Sequence, residues 1–74
     1  MTEERLSNLA KVIEVVGVSS DSWEDAVKNA VEKASETLDN ITGVEVVNYN
    51  GIVQDGKVTT FKAVVKIAFG LTNR

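Results

Sequence analysis

The sequence predicts an α+β fold of element order β-α-β-β, a three-stranded antiparallel sheet of strand order 1-3-2 that packs on one helix. Three features predict it. Three segments are rich in β-branched residues, one segment carries apolar residues at helical spacing, and an Asp-Gly pair joins the last two strand segments. With 74 residues, the chain forms one small domain.

The first strand is predicted at "AKVIEVVG", residues 10–17, which is rich in Val and Ile and stops at Gly17. The charged and polar segment before it, residues 1–9, is expected to be a frayed N-terminal extension, so that the domain spans residues 10–72. The loop "VSSDS" follows. Ser22 is a good N-cap, and Asp25 three residues later completes a variant of the capping box.

The helix is predicted from Trp23 to about Ile41, roughly 19 residues long at 1.5 Å each. Its apolar residues recur at steps of three, four and one, which places them on one face of a helix. They are Trp23, Ala26, Val27, Ala30, Val31, Ala34, Leu38 and Ile41. A helix of this length carries the chain back to the start of the first strand, so that the second strand runs parallel to it.

The second strand is predicted at about residues 44–53 and the third at about residues 57–71. Asp55-Gly56 between them is a signal for a tight hairpin, which makes the third strand antiparallel to both others. Every odd position of the third strand from Phe61 to Leu71 is apolar, so this strand is placed in the middle of the sheet. One helix covers one face only. The exposed face and edges predict a partner, and a homo-oligomer is the simplest one.

Composition excludes several function classes. The chain has no cysteine and no histidine, so it lacks disulfides, thiolate ligands and the usual general base near neutral pH. An enzyme is therefore disfavoured, and any metal site would use oxygen ligands, which suits calcium or magnesium. The net charge of −3 argues against a nucleic-acid binder. No apolar segment approaches a membrane span, and no signal peptide is evident, so a cytoplasmic location is expected.

Several residues admit two interpretations. Gly17 and the serines before the helix could bind an anion, although a turn with a helix cap is favoured. Trp23 and Tyr49 could stack on a ligand, although packing within the protein is favoured. Lys62 and Lys66 could meet an anionic ligand, but an ion pair with a glutamate on a neighbouring strand, Glu14 or Glu45, is the usual outcome.

The polar face of the helix raises one further alternative. Glu32, Glu36 and Asp39 could bind calcium where subunits meet, although a solvated helix face is the default interpretation.

The chain resembles the dodecin family from about Ala10 to Leu71. The resemblance rests on "VGVSSDSWEDAVKNAVEKASETL" and on the closing "DGKV", "F" and "FGL" pattern. It implies a sheet wrapped around the helix and twelve copies in a hollow shell of cubic symmetry. Many family members bind flavins in stacked pairs, are thought to store or sequester them, and are not regarded as enzymes.

The family's flavin site depends on a tryptophan before the second-strand "EVV" and on a glutamine in the middle strand. Here "TGVEVV" places Gly43 at the tryptophan position, followed by Val44 and Glu45, and "FKAV" places Lys62 at the glutamine position. These four residues form the candidate ligand site. Without the aromatic platform, family-type flavin binding is predicted to be weak or absent, because stacking contributes roughly 1–3 kcal/mol per ring.

Three hypotheses follow. The first is a dodecin-like hollow homododecamer that binds or stores small ligands or ions without catalysis, similar to the calcium-associated or ligand-free members. The second is a working riboflavin or FMN store that uses other residues, such as Tyr49 or Lys62. The third and least favoured is a small oligomeric enzyme. The resemblance leaves open the metal ligands and the binding of coenzyme A.

Overall fold

A computed structural model describes residues 10–70 of the protein. Its four elements are β1 (Ala10–Ser19), α1 (Trp23–Ser35), β2 (Ile41–Gln54) and β3 (Lys57–Gly70). β3 lies in the centre of the sheet and pairs antiparallel with both β1 and β2. The predicted element order and the strand order 1-3-2 are thus confirmed. The predicted N-terminal extension and the end of the third strand at Leu71 lie outside the described residues.

The core forms between α1 and one face of β3. Ala63, Val65 and Ile67 of β3 are fully buried, as the alternation of this strand predicts, and they pack with Ala26 and Ala30 of α1. Val65 and Ile67 are the largest fully buried side chains among residues 10–70. A core this small leaves much of the apolar surface of the chain outside it.

At Gly17 the backbone of α1 lies directly against β1. A Cβ atom at this position would lie 2.0 Å from the carbonyl oxygen of Ala26 and 2.9 Å from Cβ of Ala30. The prediction that Gly17 ends the first strand is wrong, because β1 continues through Val18 to Ser19. The glycine instead removes the side chain that would hold the helix away from the sheet.

The predicted capping box is half formed, because the N-cap hydrogen bond to the Ser22 side chain is present. Oγ of Ser22 accepts a hydrogen bond from the backbone N–H of Asp25 at 3.0 Å. The reciprocal half differs. The carboxylate of Asp25 accepts a hydrogen bond from Oγ of Ser19 at 2.7 Å. Oγ of Ser19 in turn accepts a hydrogen bond from the backbone N–H of Ser22 at 3.3 Å. The buried Ser19 hydroxyl therefore links the end of β1 to the first turn of α1.

The helix is shorter than its apolar pattern predicts. It spans 13 residues and ends at Ser35, although one further turn follows in which the N–H of Leu38 donates to the carbonyl oxygen of Ala34 at 2.9 Å. That turn keeps Leu38 on the apolar face, which explains why the helical spacing continues beyond the helix. Asn40, with φ of 61°, then reverses the chain in the left-handed region, where Asn is tolerated.

β2 is longer than predicted and irregular. It begins at Ile41, so Gly43 lies inside a strand and does not join the helix to it, and Gly43 is not among the glycines with positive φ. The pairing of β2 with β3 shifts between Ile41 and Gly43 and again between Val46 and Asn48. The predicted hairpin turn is confirmed: Asp55 and Gly56 both have positive φ, 54° and 77°.

The part of the chain that the structure describes contains no helix long and apolar enough to cross a membrane.

Candidate ligand-binding face

The candidate site residues lie on or beside the sheet face that points away from α1, which we call the open face. Ile13 and Val15 of β1 pack against the core, so the residues that alternate with them point the other way, and partners in register share a face. The open face comprises Val12, Glu14, Val16 and Val18 of β1, Thr60, Lys62, Val64, Lys66 and Ala68 of β3, and Gly43, Glu45, Asn48, Asn50 and Ile52 of β2.

Much of this face is apolar and uncovered in a single chain. Val12 and Val16 keep 56% and 53% of their surface exposed, and Val18 and Ile52 are also exposed. The charged residues Glu14, Lys66 and Glu45 separate Val12 from Val16. Apolar residues exposed singly are ordinary, but several on one sheet face are typical of a surface that contacts a ligand or another protein.

The structure places Gly43, Glu45 and Lys62 on the open face, but it does not bring Gly43 and Lys62 together within one chain. Gly43 pairs with Ala68 and Lys62 pairs with Asn50. Ala68 and Lys62 are six positions apart on β3, which corresponds to about 20 Å at roughly 3.3 Å per residue. Val44 pairs with Ile67 and so lies on the helix side of the sheet.

Gly43 borders a shallow depression of about 510 Å³ whose lining also includes Val12, Val44, Glu45, Lys66 and Ala68, so Val44 reaches its rim although it pairs with the buried Ile67. A Cβ atom on Gly43 would meet nothing within 4 Å. The backbone here could carry any L side chain, so neither crowding nor a positive φ requires a glycine. Gly43 itself supplies no aromatic ring at this point of a single chain.

The two lysines of the open face have different surroundings. Lys66 lies in one cross-strand row with Glu14 and Glu45, the two acids considered above as neighbours of either lysine. Lys62 lies between Val18 and Asn50, with no acid in its row. The expected close ion pairs are not formed: between residues 10 and 70, the salt bridge within 4.0 Å joins Lys33 to Glu36 on the helix.

Trp23 packs within the protein, as the sequence analysis favours. Its indole Nε1–H donates to the carbonyl oxygen of Asn50 at 2.8 Å, and its ring meets Phe61 and Tyr49 edge to face at centroid distances of 4.7 and 6.1 Å. Tyr49 pairs with Ala63 and therefore lies on the helix side. Tyr49 and Lys62 point to opposite faces of the sheet, so they cannot contact one ligand within a single chain.

The acids proposed for calcium do not assemble in one chain. Within the described range, no group of three acidic side chains is placed to hold a metal ion. Glu36 lies just beyond the end of α1, where it contacts Lys33 at 3.7 Å, and Asp39 lies in the following loop. The residues of one protomer thus do not by themselves fit a calcium site.

The sequence alone did not indicate that Asn48 and Asn50 lie on the same sheet face as Lys62. Regular alternation along β2 would put Val46 and Asn48 on one face, but the irregularity at Val47 places Asn48 opposite Val64 on the open face. No local signal in the sequence marks this bulge, because it depends on how β2 pairs with β3.

The fold defines a small βαββ domain with one helix-covered and one uncovered sheet face. Comparison with known proteins gives its family: the chain belongs to the dodecin family, whose model, Dodecin, matches residues 9–72. The sequence-based recognition of this family is therefore confirmed.

Three similarities illustrate the relationship. The calcium dodecin of Mycobacterium tuberculosis is 30% identical over 59 residues, which cover 80% of this chain and 83% of that protein. The structure of dodecin from Streptomyces coelicolor has a TM-score of 0.86 and 39% identity, covering 92% of this chain and 99% of that one. The crystal structure of the M. tuberculosis calcium dodecin, a calcium-chelating antigen with a calcium-binding site, has a TM-score of 0.74 and 31% identity, covering 90% and 93%.

Proposed function

We propose that this dodecin assembles with copies of itself into a hollow homododecamer that binds or stores small ligands or ions and catalyses no reaction. The observation that carries the proposal is the uncovered open face beside a very small core. A domain of this size gains stability by burying such a face against further copies. The family assignment supports closed symmetry, which a face presenting the same residues from each copy permits.

Native mass spectrometry tests the assembly. Twelve chains of 8.0 kDa give a particle of about 96 kDa, which is the expected mass, whereas a stable monomer would contradict the proposal. Val16→Glu places a charge in the middle of the open face and is expected to lower the assembled fraction strongly. Ser20→Glu adds the same charge in the exposed loop before the helix and is the matched control.

For flavin, we propose that the family-type site is degenerate in this chain. Gly43 leaves open space where a stacking ring would stand, and Lys62 replaces a neutral amide. Because these positions lie far apart in one chain, a complete site would combine residues of neighbouring copies. The proposal also rests on the open face as defined above, none of whose residues is aromatic.

A riboflavin titration followed by quenching of flavin fluorescence tests this degeneracy. The unaltered chain should show no binding at micromolar concentration. The double variant Gly43→Trp and Lys62→Gln should gain affinity, since nothing in the chain obstructs a side chain at position 43. Micromolar or tighter binding by the unaltered chain would instead favour the alternative function, a flavin store that uses other residues.

Calcium is the ion that the relatives favour, since a calcium dodecin shares 30% identity with this chain. One protomer's described residues do not group three acids, so we propose that any such site draws acids from more than one copy. Calorimetry after chelator treatment should then show calcium binding by the assembled particle. Absence of heat together with an unchanged unfolding temperature would contradict calcium as a ligand.

A further inference from the structure

We propose that Lys62, Asn48 and Asn50 form a binding site for an oxyanion on the open face, so that the small molecule held there carries a phosphate group. The inference rests on the proposed function, because it names the chemical class of the ligand that the shell would hold. Lys62 then acts as a residue that determines ligand specificity.

The position of Lys62 within the sheet leaves its ammonium group without an acidic neighbour. Its partners in register are Val18 and Asn50, and the neighbouring rows of the open face contribute Val64 and Thr60. The acids of this face, both in the row of Lys66, lie four positions away along β3, or about 13 Å at roughly 3.3 Å per residue. The acids of α1 lie on the other side of the sheet.

Two amide side chains lie beside this lysine. Asn50 is opposite Lys62, where side chains of paired residues are about 5 Å apart, and Asn48 is opposite Val64 in the adjacent row. Among residues 10–70, the side-chain hydrogen bonds of the protein use neither these two amide groups nor Nζ of Lys62. An ammonium group and two amide groups are thus available as donors on one small area.

In an assembly that covers the open face, Lys62 needs an anion beside it. Val16, Val18 and Ile52 around Lys62 are exposed in a single chain and become covered in the proposed assembly. Lys62 is already partly buried. A lysine enclosed by apolar surface without a counter-charge is strongly unfavourable, and an oxyanion that accepts hydrogen bonds from it removes that penalty.

The donors fit a phosphate better than a carboxylate from a second copy. A phosphate monoester offers three terminal oxygen atoms, one for each donor group, whereas the two oxygen atoms of a carboxylate would have to be shared among the three donor groups. Glu14 and Glu45 already flank Lys66 in register, so neither has Lys62 as its neighbour within the chain. We therefore assign the site to a small-molecule phosphate, with a partner's carboxylate as the competing outcome.

The test is a titration of the assembled protein with inorganic phosphate, followed by broadening of the ³¹P NMR line, with native mass measured on the same samples. The unaltered protein should broaden the line. Lys62→Gln should weaken phosphate binding about tenfold or more, the loss expected for one charge-assisted hydrogen bond. Lys66→Gln makes the same change in the acid-flanked row and should leave phosphate binding within about twofold of the unaltered protein.

A second variant keeps the test valid if Lys62→Gln fails to assemble. Asn50→Asp preserves the size of the side chain and gives Lys62 an acid in its own row, so phosphate binding should be lost while the fold is retained. An assembled particle that does not broaden the phosphate line overturns the assignment and leaves the proposed shell intact. The assignment is also overturned if the unaltered protein binds no phosphate and Lys62→Gln loses assembly. In that case Lys62 pairs with an acid of a partner copy. A monomer that binds phosphate through Lys62 contradicts the shell and supports the site.

Discussion

Replacing Gly17 with alanine tests the close approach of helix and sheet on which the core depends. The new Cβ would lie 2.0 Å from the carbonyl oxygen of Ala26, whereas ordinary contact begins at 3.4 Å, so α1 must move away from β1 by about 1.4 Å. The obstructing atom belongs to the backbone and cannot rotate aside. A shift of this size separates Ala26 and Ala30 from the buried face of β3 and forfeits much of their packing.

The expected cost is about 3 kcal/mol, at the upper end of the range for overpacked cores. That is a large part of the roughly 5–10 kcal/mol by which a small domain is stable. Urea unfolding followed by the fluorescence of Trp23 measures the change, and both proteins must be compared at the same concentration because assembly contributes to apparent stability.

Gly43→Ala is the matched control for this experiment. Its Cβ meets nothing within 4 Å, and its φ is not positive, so the substitution should leave stability unchanged or raise it by up to about 1 kcal/mol through the unfolded state. If Gly17→Ala unfolds at the same urea concentration as Gly43→Ala, the inferred contact between α1 and β1 is wrong.

Substitutions at Ser19, Trp23 and Asn40 test individual contacts by urea unfolding, followed here by far-UV circular dichroism because Trp23→Phe removes the single tryptophan of the chain. Ser19→Ala leaves two backbone N–H groups without their acceptor and should cost about 1–3 kcal/mol, whereas Ser20→Ala in the exposed loop should cost less than about 0.5 kcal/mol. Trp23→Phe loses the hydrogen bond to Asn50 while keeping an aromatic ring, and a cost of about 1 kcal/mol is expected; no change would show that this bond contributes nothing. Asn40→Gly should be neutral or stabilising and Asn40→Ala destabilising by about 1 kcal/mol, and equal effects would contradict the left-handed conformation.

Local patterns in the sequence determined the type and order of the elements. The period of the apolar residues identified the helix, and the alternation in β3 identified both its central place and its buried face, because these patterns follow directly from the geometry of one element. The Asp55-Gly56 turn and the Ser22 cap were predictable for the same reason: each depends on a few neighbouring residues. The family resemblance added the positions of Gly43 and Lys62.

Only the tertiary structure decided how these elements meet. The role of Gly17 depends on Ala26, nine positions later, and the reversal of the chain at Asn40 depends on where β2 must start to pair with β3. The bulge at Val47, which brings Asn48 to the side of Lys62, arises from strand register, a property of two segments together that neither segment shows alone. The open face therefore became a candidate oxyanion site only once the register was known.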